Sequence, residues 1–178
     1  VRTGYGAIAD EWVGIKPGTD GLLAMSLIHE LLRTDRVDLD YLVRFTNAHW
    51  LVIDAPGTAE HGLFARDEKG NELCWDRDSQ STVNANSTGI SPMIAGEFAL
   101  SDFRTVRPVF GHVLNRYLSD DYSPEMVSET CGVPAHDIRR IAQELAEAAF
   151  DHNLELPIAW TDTNGVQHAS MKARPVSM

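Results

Sequence analysis

The chain has 178 residues, 43% of them hydrophobic and 8% aromatic, with 15 Lys and Arg against 26 Asp and Glu for a formal charge of −11. That is the length of one ordinary domain with enough apolar material for a core, and the acidic balance excludes a generic electrostatic grip on nucleic acid or on an anionic membrane surface. Cys74 and Cys131 form neither a disulfide framework nor a metal-binding pair and read as core thiols, and no apolar run reaches the roughly 18–20 residues of a membrane-spanning helix.

Residues 12–15, with Val13 and Ile15 apolar, read as a short strand ending in the Pro17-Gly18 turn. A helix follows at once. Thr19 or Asp20 can cap it, and Leu22, Leu23, Met25, Leu27, Ile28, Leu31 and Leu32 are apolar on almost every side, the pattern of a buried helix. Strand, turn and helix together suggest a unit of an α/β sheet. Asp38-Leu39-Asp40 opens a second helix with Leu39, Leu42, Val43 and Thr46 on one face.

Trp50-Leu51-Val52-Ile53 is a short extended run, and residues 63–66 and 72–75 read as strands joined by the hairpin turn Asp67-Glu68-Lys69-Gly70. Residues 76–91, rich in Ser, Asn and Thr, read as loop; Asn86-Ser87-Thr88 matches a glycosylation acceptor, which has meaning only in a secretory context. Helix signals return after Arg107, with Pro108 in the first turn and Val109, Phe110, Val113, Leu114, Tyr117 and Leu118 as an apolar stripe. Ser123-Pro124-Glu125 starts a short helix with an N-cap, a proline at the first position and an acid near the positive end, and Gly132 closes it. Pro134-Ala135-His136-Asp137 leads into a further amphipathic helix through Ile138, Ile141, Ala142, Leu145 and Ala146, ending near Phe150. Residues 155–160 read as a strand, followed by a tight turn over residues 161–165.

The seven histidines include no pair at the four-residue helical spacing, and there is no G-x-S-x-G elbow and no phosphate-binding G-x-x-x-x-G-K loop. Gly4-x-Gly6 is too short for a dinucleotide fingerprint. What remains is Pro17-Gly18-Thr19-Asp20. A Pro-Gly turn plus a helix cap accounts for its local chemistry, and on that chemistry alone the cap is the more economical reading. The same four residues also suit a nucleotide. A helix N-terminus offers free N–H groups, Gly18 lets a ligand approach the backbone, and the Asp20 carboxylate can accept two parallel hydrogen bonds from guanine N1–H and its exocyclic amine. No other base presents that donor pair on one edge.

The order Ala9-Asp10-Glu11-Trp12-Val13-Gly14-Ile15-Lys16-Pro17-Gly18-Thr19-Asp20-Gly21, followed by an apolar helix with His29, resembles the large catalytic subunits of the dimethyl-sulfoxide-reductase family of molybdopterin oxidoreductases. Asp40-Tyr41-Leu42-Val43-Arg44-Phe45-Thr46-Asn47 is similar to that family's helix ending in a Thr-Asn pair. Thr130-Cys131-Gly132-Val133-Pro134, with Ile138, Ile141 and Leu145-Ala146, is similar to a further segment. The resemblance covers residues 2–47 and 122–150 well and the rest loosely.

It implies a subunit holding a molybdenum (or tungsten) bis-molybdopterin guanine dinucleotide, with a 4Fe-4S cluster upstream of this chain. The implied reaction is oxygen-atom or two-electron transfer on a small-molecule substrate, a sulfur compound or formate rather than nitrate. By match, Gly18, Thr19 and Asp20 bind the cofactor, with Asp20 on the guanine; Arg2 and Thr3 are further candidates, and Lys16 is one for a phosphate. No residue is implied to be catalytic, since the cluster cysteines and the metal ligand are expected before Val1 and a barrel-like cofactor domain after Met178. The chain is therefore expected to be an internal fragment, in the cytoplasm or periplasm. Residues 1–50 would be the strand–helix part of a Rossmann-like inserted α/β domain, 51–104 a hairpin and loop excursion, 105–154 its helical continuation and 155–178 the start of the adjoining domain. Implied partners are an iron–sulfur subunit for electron transfer and a membrane anchor, and no nucleic acid. The alternative is a stand-alone α/β binding or interaction domain without cofactor.

Overall fold

In the computed structural model, which describes residues 4–152 and 154–173, helices form where the apolar periodicity places them. They are α1 (Asp20–Arg33), α2 (Leu39–Phe45), α3 (Val109–Tyr117), α4 (Pro124–Cys131) and α5 (Ala135–Ala146). The described strands are short and pair only antiparallel: β1 (Leu51–Ile53), β2 (Leu73–Asp76), β3 (Ser81–Asn84), β4 (Phe98–Ala99), β5 (Thr105–Pro108), β6 (Leu154–Leu156), β7 (Trp160–Thr161), β8 (Gln167–His168) and β9 (Met171–Ala173). The chain thus mixes α and β structure. Its contacts divide into two units, one running to Arg36 and resuming at Tyr117, the other Val37–Arg116.

The first unit is built on α1, α4 and α5. Val127, Cys131, Val133 and Ile138 are its buried centre, and Val13, Ile15, Leu22, Leu23 and Leu27 pack against them. Local chemistry sets the ends of α4. Ser123 Oγ accepts from Met126 N at 3.4 Å, Pro124 occupies the first turn, and Gly132, at φ 80°, ends the helix with its N–H on the Ser128 carbonyl at 2.9 Å. α5 buries Ile138, Ala142 and Ala146 at a four-residue spacing and runs on into one π turn, Glu147–Asp151.

Three expectations for this unit are corrected. Residues 12–15 are not a strand. The segment is extended, but a strand exists only through a partner, and no strand among the described residues pairs with it; at its flank Lys16 N donates to the Cys131 carbonyl at 2.9 Å. Helix α1 is not buried all round. The residues it fully covers are Ser26, His29 and Glu30, while its leucines are only half-buried, because α4 and α5 cover a single face. Two of those buried polar groups are paired: His29 Nδ1 with the Tyr117 carbonyl at 2.8 Å, and Glu30 with the Arg33 fork at 3.1 and 2.7 Å. Finally, the strand expected over residues 155–160 is split. Pro157 has no N–H to donate, and Ile158 N turns back onto the Leu156 carbonyl at 2.8 Å, so β6 pairs with β9 and β7 pairs separately with β8. The tight turn after β7 forms as expected, with Gly165 N on the Asp162 carbonyl at 3.0 Å.

In the second unit β5 lies between β1 and β4. Leu51, Ile53, Ala65, Leu100 and Val106 make the core, and the Trp75 and Phe98 rings stack at 4.6 Å beside it. The Asp67 turn forms as expected, its Oδ1 accepting from Lys69 N and Asn71 N at 2.9 Å each. The strand preceding it does not. Residues 63–66 make only the isolated bridges Val52↔Phe64 and Arg66↔Glu72, whereas the full ladder joins β2 to β3, from Leu73↔Asn84 to Asp76↔Ser81. Residues 81–84, expected as loop, are therefore a strand. Nor does α2 bury any residue, although its apolar spacing is helical; Leu39 is 41% exposed. Both cysteines are core thiols as expected, and burial, aided by the charge of Asp76, pushes Cys74 up to about 11.

Gly70 sits at φ 85° with open space around the position a Cβ would take, so a side chain there is opposed by backbone strain alone. A Gly70→Ala variant is expected to destabilise the Asp67 turn by about 1 kcal/mol. Amide exchange of Asp67 and Leu73 should quicken about fivefold; unchanged exchange would count against a left-handed requirement at this position.

Candidate functional site

The turn into α1 is formed by Lys16, Pro17, Gly18 and Thr19. The Lys16 carbonyl accepts from Thr19 N at 3.3 Å, and Gly18, at φ 81°, occupies the third position, where a type II turn requires a positive φ. Nothing lies within 4 Å of where a Cβ on Gly18 would be. Thr19 stands at the N-cap position, yet its hydroxyl donates back to the Lys16 carbonyl at 2.7 Å and makes no capping bond. The first N–H groups of α1 are thus left without a side-chain cap, so the economical reading of the sequence, a simply capped helix start, does not describe what Thr19 does. Asp20 opens the helix with its side chain exposed and with no hydrogen-bond or ion-pair partner among the described residues.

Gly18, Thr19 and Asp20 are therefore adjacent at the start of α1, with Gly18 and Asp20 exposed and Thr19 half-buried. Lys16 is placed elsewhere. Its Nζ, the candidate for a phosphate, donates to the Glu129 carbonyl at 3.1 Å and its backbone N to the Cys131 carbonyl at 2.9 Å, so both nitrogens meet the C-terminal end of α4. Arg2 and Thr3 lie outside the described residues.

Most of what holds this helix start in place carries no local motif. Val13 and Ile15 lie against the α4–α5 core, and Glu11 takes the Arg140 guanidinium through both oxygens at 2.5 and 2.9 Å, from 129 residues away. Arg140 also reaches Glu144 at 3.0 Å and Asp137 at 3.4 Å. Only the Gly132 cap next to these contacts has a local signature.

No protein-family model matches the chain. Among curated proteins, the sulfite dehydrogenase of Allochromatium vinosum has a subunit 42% identical over 186 residues, covering 99% of this chain and 19% of that protein. The alpha chain of the perchlorate reductase of Dechloromonas aromatica is 28% identical over 78% of this chain and 19% of its own length. The chain belongs to the molybdopterin oxidoreductases. The major subunit of the nitrate-inducible formate dehydrogenase of Escherichia coli adds a third relative, 24% identical over 80% of this chain and 13% of its own. The chain spans about a fifth of the length of the first two molybdopterin oxidoreductases it matches. Molybdopterin is the cofactor class that goes with this membership.

Proposed function

We propose that this chain is a cofactor-holding segment of the large catalytic subunit of a molybdenum (or tungsten) oxidoreductase, and that it holds one guanine end of a bis-molybdopterin guanine dinucleotide. The observation that carries this reading is the exposed Asp20 carboxylate, with no partner among the described residues, beside a helix start without a side-chain cap. The donor set fits the group. Asp20 accepts from guanine N1–H and the exocyclic amine, the free N–H groups of α1 meet an acceptor or phosphate oxygen, and Gly18 leaves the approach open. A base with a ring acceptor on that edge would face the carboxylate unfavourably.

When bound, the cofactor supplies oxygen-atom or two-electron transfer at its metal, while the residues here bind and orient its nucleotide end. The sulfite dehydrogenase relative favours a sulfur compound as substrate, with formate second. The same reading places a 4Fe-4S cluster in the upstream part of the protein, with an iron–sulfur partner subunit for electron transfer and a membrane anchor in the complex. Residues 1–50 and 105–154 are read as parts of one Rossmann-like domain, with 51–104 an excursion from it and 155–178 in a neighbouring domain. The packing of α1 on α4 and α5 supports the joining of the first two segments.

The test is Asp20→Ala in the full-length subunit, with guanine nucleotide and molybdenum assayed per purified protein. Losing two hydrogen bonds to a charged acceptor should lower retained guanine nucleotide by at least about tenfold. Normal content of both would remove Asp20 from the site.

A further inference from the structure

We propose that Lys16 is the positioning residue for the nucleotide turn and that Gly132 provides the space it needs. This rests on the cofactor reading above and asks what keeps Gly18, Thr19 and Asp20 in the arrangement that reading requires.

A helix leaves its last carbonyls without partners inside the helix. In α4, the Ser128 carbonyl is closed by Gly132 N at 2.9 Å, while the Glu129 and Cys131 carbonyls are closed by one residue, Lys16, through Nζ at 3.1 Å and backbone N at 2.9 Å. The ammonium lies where the helix end is negative, a favourable place for a cation. Gly132 makes this approach possible. A Cβ on it would stand 3.3 Å from Lys16 Cε and 3.5 Å from Cγ, so the lysine stem crosses the helix end where no side chain stands.

Having used both donors on α4, Lys16 offers its carbonyl to the turn. That oxygen takes Thr19 N at 3.3 Å and the Thr19 hydroxyl at 2.7 Å. The hydroxyl is thereby drawn away from the helix start, leaving its N–H groups open beside Asp20. One continuous set of contacts therefore runs from the end of α4, through Lys16, to the open N-terminus of α1. Lys16 and the Glu129 carbonyl it takes are 113 residues apart in sequence. The Cys131-Gly132-Val133 segment takes a role in this arrangement without touching the nucleotide: its carbonyl and its missing side chain form the seat.

The experiment uses the full-length subunit with Lys16→Met, Lys16→Arg, Asp20→Ala and, as a control, Arg139→Gln, which removes the ion pair to Glu125 between α5 and α4 without touching the turn. Guanine nucleotide and molybdenum are counted per folded subunit, and nucleotide release is timed. Lys16→Met keeps an apolar stem and removes the ammonium, and should release nucleotide on the order of tenfold faster, the factor of one lost charge-assisted hydrogen bond. Lys16→Arg, which restores the charge and a donor, should return release to within about twofold of the parent enzyme. Arg139→Gln should leave it unchanged, since an exposed ion pair contributes little.

Retention by Lys16→Met equal to the parent, or equal losses in Lys16→Met and Arg139→Gln, overturns the positioning role. If Asp20→Ala loses nucleotide while Lys16→Met does not, only this proposal falls; if Asp20→Ala also retains it, the cofactor reading falls as well. Should Lys16→Met not fold, Lys16→Gln carries the same test, because it too keeps a stem and removes the charge. Loss of nucleotide then supports the role and full retention overturns it.

Discussion

An Ile138→Ala variant is expected to lose about 3 kcal/mol of local stability, within the range for emptying a fully buried aliphatic site. Ile138 is fully buried and sits in α5 where α4 and the half-buried leucines of α1 meet, with Val127, Cys131 and Val133 as neighbours. Removing its outer carbons leaves a cavity whose walls are held by three helices, so little relaxation can fill it. A large multidomain subunit does not unfold in one step, so the measurement is native-state amide exchange in α4 and α5 of the full-length protein. Exchange there should quicken by about a hundredfold, while β1 and β5 in the other unit keep their rates. Unchanged exchange in α4 would show that Ile138 does not tie the two helices together. The same site bears on the proposed cofactor face, because Lys16 is seated on the last carbonyls of α4.

What could be read from the sequence was what is written locally. Ser123, Pro124 and Gly132 bound α4 because capping acts within a few residues, and the Asp67 turn forms because one carboxylate collects amides two and four positions on. Gly18, Thr19 and Asp20 stood out for the same reason. Features that depend on distant partners were misread. Residues 12–15 have strand-like composition, but no ladder partner lies beside them among the described residues. Lys16 suggested a phosphate ligand because the carbonyl that takes its ammonium lies 113 residues further on. In α1, seven large apolar residues indicated burial on all sides, yet the covered line is Ser26, His29 and Glu30, and only the geometry of α4 and α5 decides which face that is. β3 escaped notice because Ser81-Thr82-Val83-Asn84 carries no alternation of apolar and polar residues strong enough to mark a strand.

Replacing Asp76 with alanine is expected to undo the order of that polar segment. Asp76 ends β2 and is 6% exposed. Its Oδ2 accepts from Ser79 Oγ at 2.6 Å and Ser79 N at 2.9 Å, and its Oδ1 from Ser91 N at 2.8 Å, so one carboxylate pins both ends of the stretch that contains β3. The Ser79 hydroxyl, then the Ser91 and Ser79 amides, hold its pKa down to about 2, against an ordinary value of 3.8. Because the folded value is the lower one, the stabilisation is fully present above the unfolded value near 4 and fades as pH falls through about 2. At neutral pH, Asp76→Ala should raise exchange at Ser79, Ser91 and the β3 amides by roughly tenfold or more. The difference from the parent protein should shrink steadily below about pH 4, since the parent then loses the same charge. A difference that stays constant down to pH 2 would assign the order of residues 76–91 to β2–β3 pairing alone and leave the carboxylate without that role.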